Sequence, residues 1–337
     1  MQKMNVVQVP KAGADFQLVE REIPEPAAGQ VRIRVLACGV CHSDALTKNG
    51  QFPGMTFPRV PGHEIAGVID ATGDGVTTWK KGERVGVGWH GGQDGTCPTC
   101  RRGDFANCPN TPICGLSFDG GYAEYLLAPV AAVAVMPESL DPAEAAPLMC
   151  AGVTTFNSLR RSGALAGDLV AVQGIGGLGH LGIQFAQKLG FRVAAVGRGP
   201  ANAELAKKLG AHLYIDSAAT NAAAELQKLG GARVILATAP SGKAMSSLID
   251  GLGPNGTMLV VGATADAIEV SSIQLIMGKK NIQGWYSGTA MDSEDTLRFA
   301  EISGVRPMIE KVPLAKAAEG YARMMGGQAR FRVVLTM

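Results

Sequence analysis

The chain has 337 residues, 46% of them hydrophobic and 18% charged, which is enough apolar material for more than one core and makes two domains the expectation. A formal net charge of +2, with no basic block or aromatic-interleaved basic stripe, excludes a dedicated nucleic-acid binder. No apolar run reaches membrane-spanning length and no long h-region opens the chain, so no membrane-spanning helix is expected and cytoplasmic residence is the default expectation.

Between about residues 4 and 135 the sequence reads as short strands separated by Pro and Gly: Val6 to Val9, Phe16 to Glu20, Val31 to Ala37, Glu64 to Ala71, Arg84 to Trp89 and Ala123 to Ala128. Alternation in Val31-Arg32-Ile33-Arg34-Val35 is the period-two mark of a half-buried strand. Turn signals such as Thr72-Gly73-Asp74-Gly75 and Lys81-Gly82-Glu83-Arg84 leave no room for long helices. A β-rich, barrel-like first domain is expected.

From about residue 152 the pattern changes. Asp168 to Gln173 is an apolar run of buried-strand type that enters Gly174-Ile175-Gly176-Gly177-Leu178-Gly179, after which Leu178, Leu181, Phe185 and Leu189 recur at helical spacing up to Gly190. A strand from Phe191 to Val196 ends at Gly197-Arg198-Gly199, and Pro200 starts a helix closed by Gly210. Leu213 to Asp216, a helix Ala222 to Leu229, Arg233 to Ala237, a helix near Ala244 to Leu252, and Thr257 to Gly262 continue the alternation. Strand and helix in turn predict a parallel, doubly wound sheet, an α/β Rossmann fold. Beyond about residue 286 come a helix around Glu294 to Ile302, a segment ending Glu310-Lys311-Val312-Pro313, a helix from Ala315 to Met325 and a last strand, Phe331 to Leu335.

A bare G-x-G-x-x-G is weak, but after a strand and opening a helix it marks a dinucleotide site. Gly174 permits the turn, Gly176 admits the pyrophosphate, and Gly179 lets helix and strand approach, while Gly177 and Leu178 complete the loop whose helix N-terminus favours phosphate. At the end of the second strand, where a carboxylate would bind the ribose 2′-hydroxyl of NAD, the chain has Gly197 and Arg198. A guanidinium there matches a 2′-phosphate, so NADP(H) is favoured over NAD(H), a solvated surface Arg198 being the alternative.

Seven cysteines, an odd number with C-x2-C spacing, favour metal over disulfides. Cys41, in Cys38-Gly39-Val40-Cys41-His42-Ser43-Asp44, and His63, in Pro61-Gly62-His63-Glu64, are candidate zinc ligands, with Cys150 the distant third. Cys38 reads as a small buried hydrophobe.

These motifs, in this order and spacing, resemble the zinc-dependent medium-chain alcohol dehydrogenase family, in the branch holding bacterial and yeast alcohol dehydrogenases and cinnamyl-type reductases. The likeness runs from the opening strands to Arg330-Phe331-Arg332. It implies a GroES-like catalytic domain from residues 1–151 and 287–337 around a Rossmann domain at 152–286. It also implies a catalytic zinc on Cys41, His63 and Cys150, the ligand set known for alcohol dehydrogenases. Ser43 would relay the substrate proton, Asp44 would hold the zinc-bound imidazole, and Glu64 would stand beside the metal. His42 and Arg332 would meet the coenzyme pyrophosphate, Thr154 would pack on the nicotinamide, and Trp89 would line the substrate channel, with Phe118 and Met149, and also Phe52 and Phe57, as further pocket candidates. Many relatives carry a His where this chain has Leu46, so the proton would leave through the cofactor ribose and water.

The family's structural zinc loop, C-x2-C-x2-C-x7-C, is matched by Cys97, Cys100 and Cys108, with Asp94 at the first position and Cys114 as the alternative fourth ligand. The implied activity is hydride transfer between a nicotinamide and a small alcohol/aldehyde pair, primary and hydrophobic or aromatic, in a homodimer or homotetramer. A polyol or secondary-alcohol dehydrogenase is the nearest rival, and a zinc-stabilised nucleotide-binding protein without turnover is the rival of another class.

Overall fold

The structure, a computed structural model, describes residues 2–337. The chain divides into two units: the residues up to Val153 with Ser287–Met337, and Thr154–Tyr286.

The first unit begins with β1 (Lys3–Gln8), β2 (Gln17–Glu22) and β3 (Gln30–Gly39), followed by the short helix α1 (Asp44–Asn49). It continues through β4 (Ile65–Thr72), β5 (Arg84–Val87), β6 (Tyr125–Pro129), β7 (Val133–Val135) and α2 (Pro142–Ala145). Helix α3 (Ala151–Arg160) carries the chain into the second unit. β3 is the spine: Val31, Ile33 and Val35 are no more than 1% exposed, and the strand pairs antiparallel with β4 and β6. Burying such a side chain contributes about 1.5–3 kcal/mol before entropy is charged.

The second unit alternates β8 (Leu169–Gln173), α4 (Gly179–Lys188), β9 (Arg192–Gly197), α5 (Ala203–Lys208), β10 (Leu213–Asp216) and α6 (Ala222–Lys228). Then come β11 (Ala232–Ala237), α7 (Gly242–Ser246), β12 (Leu252–Val260), α8 (Ser272–Ile276) and β13 (Asn281–Gly284). All six strands are parallel in the order β10-β9-β8-β11-β12-β13. Sheet order reverses beside β8, which is where a doubly wound fold takes its nucleotide.

The tail adds α9 (Ala290–Ser303), β14 (Ile309–Pro313), α10 (Ala317–Met325) and β15 (Arg332–Thr336) to the first unit, β15 pairing antiparallel with β3. The architecture is therefore α/β, a doubly wound parallel sheet with a separate β-rich unit.

Local departures have local causes. The helix expected from Ala244 to Leu252 stops at Ser246 and gives way to a single 3-10 turn, because Leu252 already belongs to β12 and is 1% exposed. β7, α8 and β13, at three to five residues, are too short for periodicity to reveal. Among the described residues no helix is long and apolar enough to cross a membrane.

Candidate active site and metal centres

Antiparallel pairing sets Cys38 opposite Ile65, which brings the turn after β3 against the residues leading into β4. Gly39 sits at the crossing, its N–H donating to the Glu64 carbonyl over 2.8 Å. A Cβ on Gly39 would lie 1.9 Å from Glu64 Oε2, so the carboxylate occupies the space that a side chain here would need. β15 pairs with the same end of β3 and delivers Arg332, whose guanidinium donates to Glu64 Oε1. The third approach is the 3-10 turn Ala146–Met149, tucked so closely under β5 that a Cβ on Gly88 would be 2.6 Å from the Met149 carbonyl. Cys150 follows that turn, its Sγ 4.0 Å from Cys41 Sγ.

Cys41, His63, Glu64 and Cys150 thus offer four ligand-type atoms within 4.8 Å of one another. Two thiolates on a tetrahedral zinc, each at about 2.3 Å, stand about 3.8 Å apart, close to the observed separation. His63 is 2% exposed, and its Nε2 has no hydrogen-bond partner; nor has Glu64 Oε2. Buried polar atoms left this way are costly unless something fills the space between them, and the donor set fits a zinc ion.

Asp44 ties the cluster together from behind. Its Oδ1 lies 3.1 Å from His63 Nδ1, and its Oδ2 accepts from the Cys41 N–H and the Tyr122 hydroxyl, both at 2.9 Å. Holding Nδ1 leaves Nε2 as the lone-pair face. The Cys150 thiol holds Cys41 well below the usual thiol range against its burial, and Cys41 pushes Cys150 well above it. Burial would favour neutral His63, but Asp44 outweighs it and raises the imidazole well above its ordinary value. Burial pushes Glu64 up to about 7 despite the Arg332 guanidinium.

Other expected site residues are more scattered. Ser43 stands at the N-cap of α1, yet its hydroxyl makes no capping hydrogen bond. His42 is exposed, Leu46 is half-buried, and Thr154 lies buried in α3. Trp89 meets the His63 ring edge-on at 5.0 Å. Met149 is 1% exposed and packs over Gly86. Phe118 packs against the core of the first unit, and Phe52 and Phe57 are half-buried. Tyr122 carried no motif signal, and only the tertiary contact to Asp44 reveals it.

The second cluster is local. Asp94, Cys97, Cys100 and Cys108 bring their ligand atoms within 4.8 Å of one another, Cys97 Sγ standing 3.8 Å from Cys108 Sγ. The Asn110 amide and the Cys97 and Thr96 N–H groups hold the Asp94 carboxyl well below the usual range, while burial pushes the Cys100 thiol up to about 12. Cys114 is absent from this cluster: it is wholly buried, with its thiol toward the Gly62 carbonyl.

In the second unit a Cβ on Gly179 would fall 1.8 Å from the Gly174 carbonyl, whereas one on Gly176 would meet nothing within 4 Å. The loop is therefore closed where helix meets strand and open where a pyrophosphate would enter, so these residues fit a dinucleotide. At the end of β9, Gly197 is buried and Arg198 exposed. Nearby Asp216 already accepts from the Gly199 and Ala218 N–H groups at 2.8 and 2.9 Å.

Comparison with known proteins agrees with this geometry. The family model for the alcohol dehydrogenase GroES-like domain matches residues 27–138, and that for zinc-binding dehydrogenases matches 177–301. The chain is 46% identical to alcohol dehydrogenase patD of Penicillium expansum, over 96% of this chain and 95% of that one. It is 38% identical to an alcohol dehydrogenase of Geobacillus stearothermophilus, over 95% and 96%. A cinnamyl alcohol dehydrogenase structure from Sorghum bicolor superposes with a TM-score of 0.89 at 30% identity, covering 99% of this chain and 98% of that one. Ligand-type side chains gathered beneath β3 and β4, a dinucleotide loop in a doubly wound sheet and end-to-end kinship with alcohol dehydrogenases together mean that the chain belongs to the zinc-dependent medium-chain alcohol dehydrogenase family.

Proposed function

We propose that this chain exchanges a hydride between NADP(H) and a primary alcohol/aldehyde pair of hydrophobic or aromatic character, with a zinc ion on Cys41, His63 and Cys150. The observation that carries the reading is the buried, unpartnered Nε2 of His63, grouped within 4.8 Å of ligand-type atoms of two cysteines and a glutamate. Zinc supplies Lewis acidity to a substrate oxygen, and a nicotinamide supplies the hydride acceptor or donor.

The chain's own residues do the rest. Asp44 fixes the His63 ring so that only Nε2 faces the ion, and Arg332 holds Glu64 beside it. Ser43 Oγ, unused as a cap, takes the substrate hydroxyl proton and passes its own outward; with Leu46 in the position of a terminal His, ribose and water complete the path. Trp89, edge-on to His63, gives the substrate an apolar wall, and Phe118 extends it. In the second unit the Gly174 to Gly179 loop takes the pyrophosphate and Thr154 meets the nicotinamide, while the family resemblance gives His42 and Arg332 of the first unit a pyrophosphate role. Asp94, Cys97, Cys100 and Cys108 would hold a second, structural ion. Gly197 offers no carboxylate to repel a 2′-phosphate, and exposed Arg198 binds it, which supports NADP(H) over NAD(H). Exposed Ile273, Ile276 and Met277, beside the edge strand β13, support assembly as a homodimer or homotetramer.

The test is a set of initial rates with NADPH and NADH across a panel of aldehydes, with zinc quantified. Faster turnover with NADPH, a ratio moved towards NADH by Arg198→Asp, and about two zinc per chain are the expected results. NADPH binding without aldehyde-dependent oxidation would overturn the reading in favour of a binding protein.

A further inference from the structure

Tyr122 is wholly buried and lies 78 residues beyond Asp44 in the chain, yet its hydroxyl donates to Asp44 Oδ2 at 2.9 Å. The same oxygen accepts from the Cys41 N–H at 2.9 Å, and the other oxygen faces His63 Nδ1 at 3.1 Å. One carboxylate therefore steers two of the three proposed zinc ligands, and the Tyr122 hydroxyl donates to it.

Its backbone is bound into the same region. The Tyr122 N–H donates to the Pro61 carbonyl at 3.0 Å, the Gly121 N–H to the Gly62 carbonyl at 3.0 Å, and the Tyr122 carbonyl accepts from the Val7 N–H at 2.8 Å. The ring lies so close to Gly62 that a Cβ there would be 2.6 Å from Tyr122 Cδ1. The residue thus grips the segment running into His63 with its backbone and ring, and the carboxylate behind His63 with its hydroxyl.

We propose that Tyr122 is a positioning residue for the buried metal centre: its hydroxyl fixes the Asp44 carboxylate in the orientation that presents Cys41 and His63 to one ion. A buried carboxylate deprived of this donor has one hydrogen bond fewer to define its rotation, and the two ligands it holds lose their shared reference. The inference rests on the zinc reading of Cys41, His63 and Cys150.

The experiment measures how firmly each purified holoprotein retains zinc against increasing chelator, for wild type, Tyr122→Phe, Asp44→Asn and the double variant. The two ions are assigned by their loss in Cys41→Ser and in Cys100→Ser. Removal of the hydroxyl should weaken retention at the buried centre by about 10- to 100-fold, the range for outer partners of metal ligands. Retention at the Cys97–Cys100–Cys108 loop, which reports that the chain is folded, should stay unchanged. In the Asp44→Asn background the same substitution should cost far less, since the hydroxyl acts through that carboxylate. Unaltered retention in Tyr122→Phe, an equal loss at both centres, or the same loss with and without Asp44 would overturn the proposal. A wild type that holds no zinc through Cys41 would instead overturn the zinc reading itself.

Discussion

The two clusters use similar ligand chemistry on opposite structural principles. Cys41 and Cys150 meet across 109 residues of chain, in a cluster whose His63 is 2% exposed, whereas Cys97 and Cys108 meet across 11 residues in a loop whose Asp94 is exposed. The first is assembled by the whole seven-stranded sheet, through the β3–β4 and β3–β15 pairings and the turn under β5. The second needs only its own backbone. A centre built by the sheet is held in shape by the fold and is suited to chemistry. A centre built by a loop contributes to the shape of that loop.

The largest expected effect breaks this contrast at the buried side. Cys150→Ser should lower kcat/KM by roughly 10³-fold or more, the equivalent of about 4 kcal/mol of lost charge stabilisation, while thermal unfolding changes little. Steady-state kinetics beside a melting curve checks it; an active, zinc-poor variant would dissolve the distinction.

Asp44→Asn tests whether the buried centre depends on its support. It should weaken zinc retention there by about 10- to 100-fold and leave the loop ion alone, as read by chelator competition.

Cys100→Ser probes the other side. Zinc should fall from about two to about one per chain and Tm should drop by several degrees, each kcal/mol lost being worth about 2–4 °C in a unit of this size. The activity of the protein that remains folded should stay within a few-fold. A loss as deep as that of Cys150→Ser would show that the loop is catalytic as well.

The smallest effect sharpens the comparison within the loop. Asp94→Cys should tighten zinc retention, a thiolate being a softer ligand than a carboxylate, and Asp94→Ala should loosen it. Equal retention in all three proteins would mean that position 94 is not a ligand.

The same contrast explains what could be read early. The dinucleotide loop was legible because its constraint is local: Gly174 answers to a turn and Gly179 to a close contact, within six residues. The alternation of β3 was legible because its two faces meet different surroundings. α8 left no usable pattern, since Ile273, Ile276 and Met277 are exposed and mark no core-facing stripe. That Met149 packs over Gly86 was not legible, because hydrophobicity alone does not say which strand a side chain meets. Tyr122 and the Glu64–Arg332 pair were beyond pattern, for no spacing rule links positions 78 or 268 residues apart.

From sequence alone came whatever neighbouring residues decide: the strand and helix periods, the glycine turn, the local metal spacing, and a kinship that named the distant third cysteine. Tertiary structure alone decided which buried atoms share a partner: that Asp44 holds Cys41, His63 and Tyr122 at once, and that Glu64 meets Arg332. The physical reason is that hydrogen bonds and metal ligation act over about 3 Å, a distance fixed in the sequence only for near neighbours and for all others by how the strands pair.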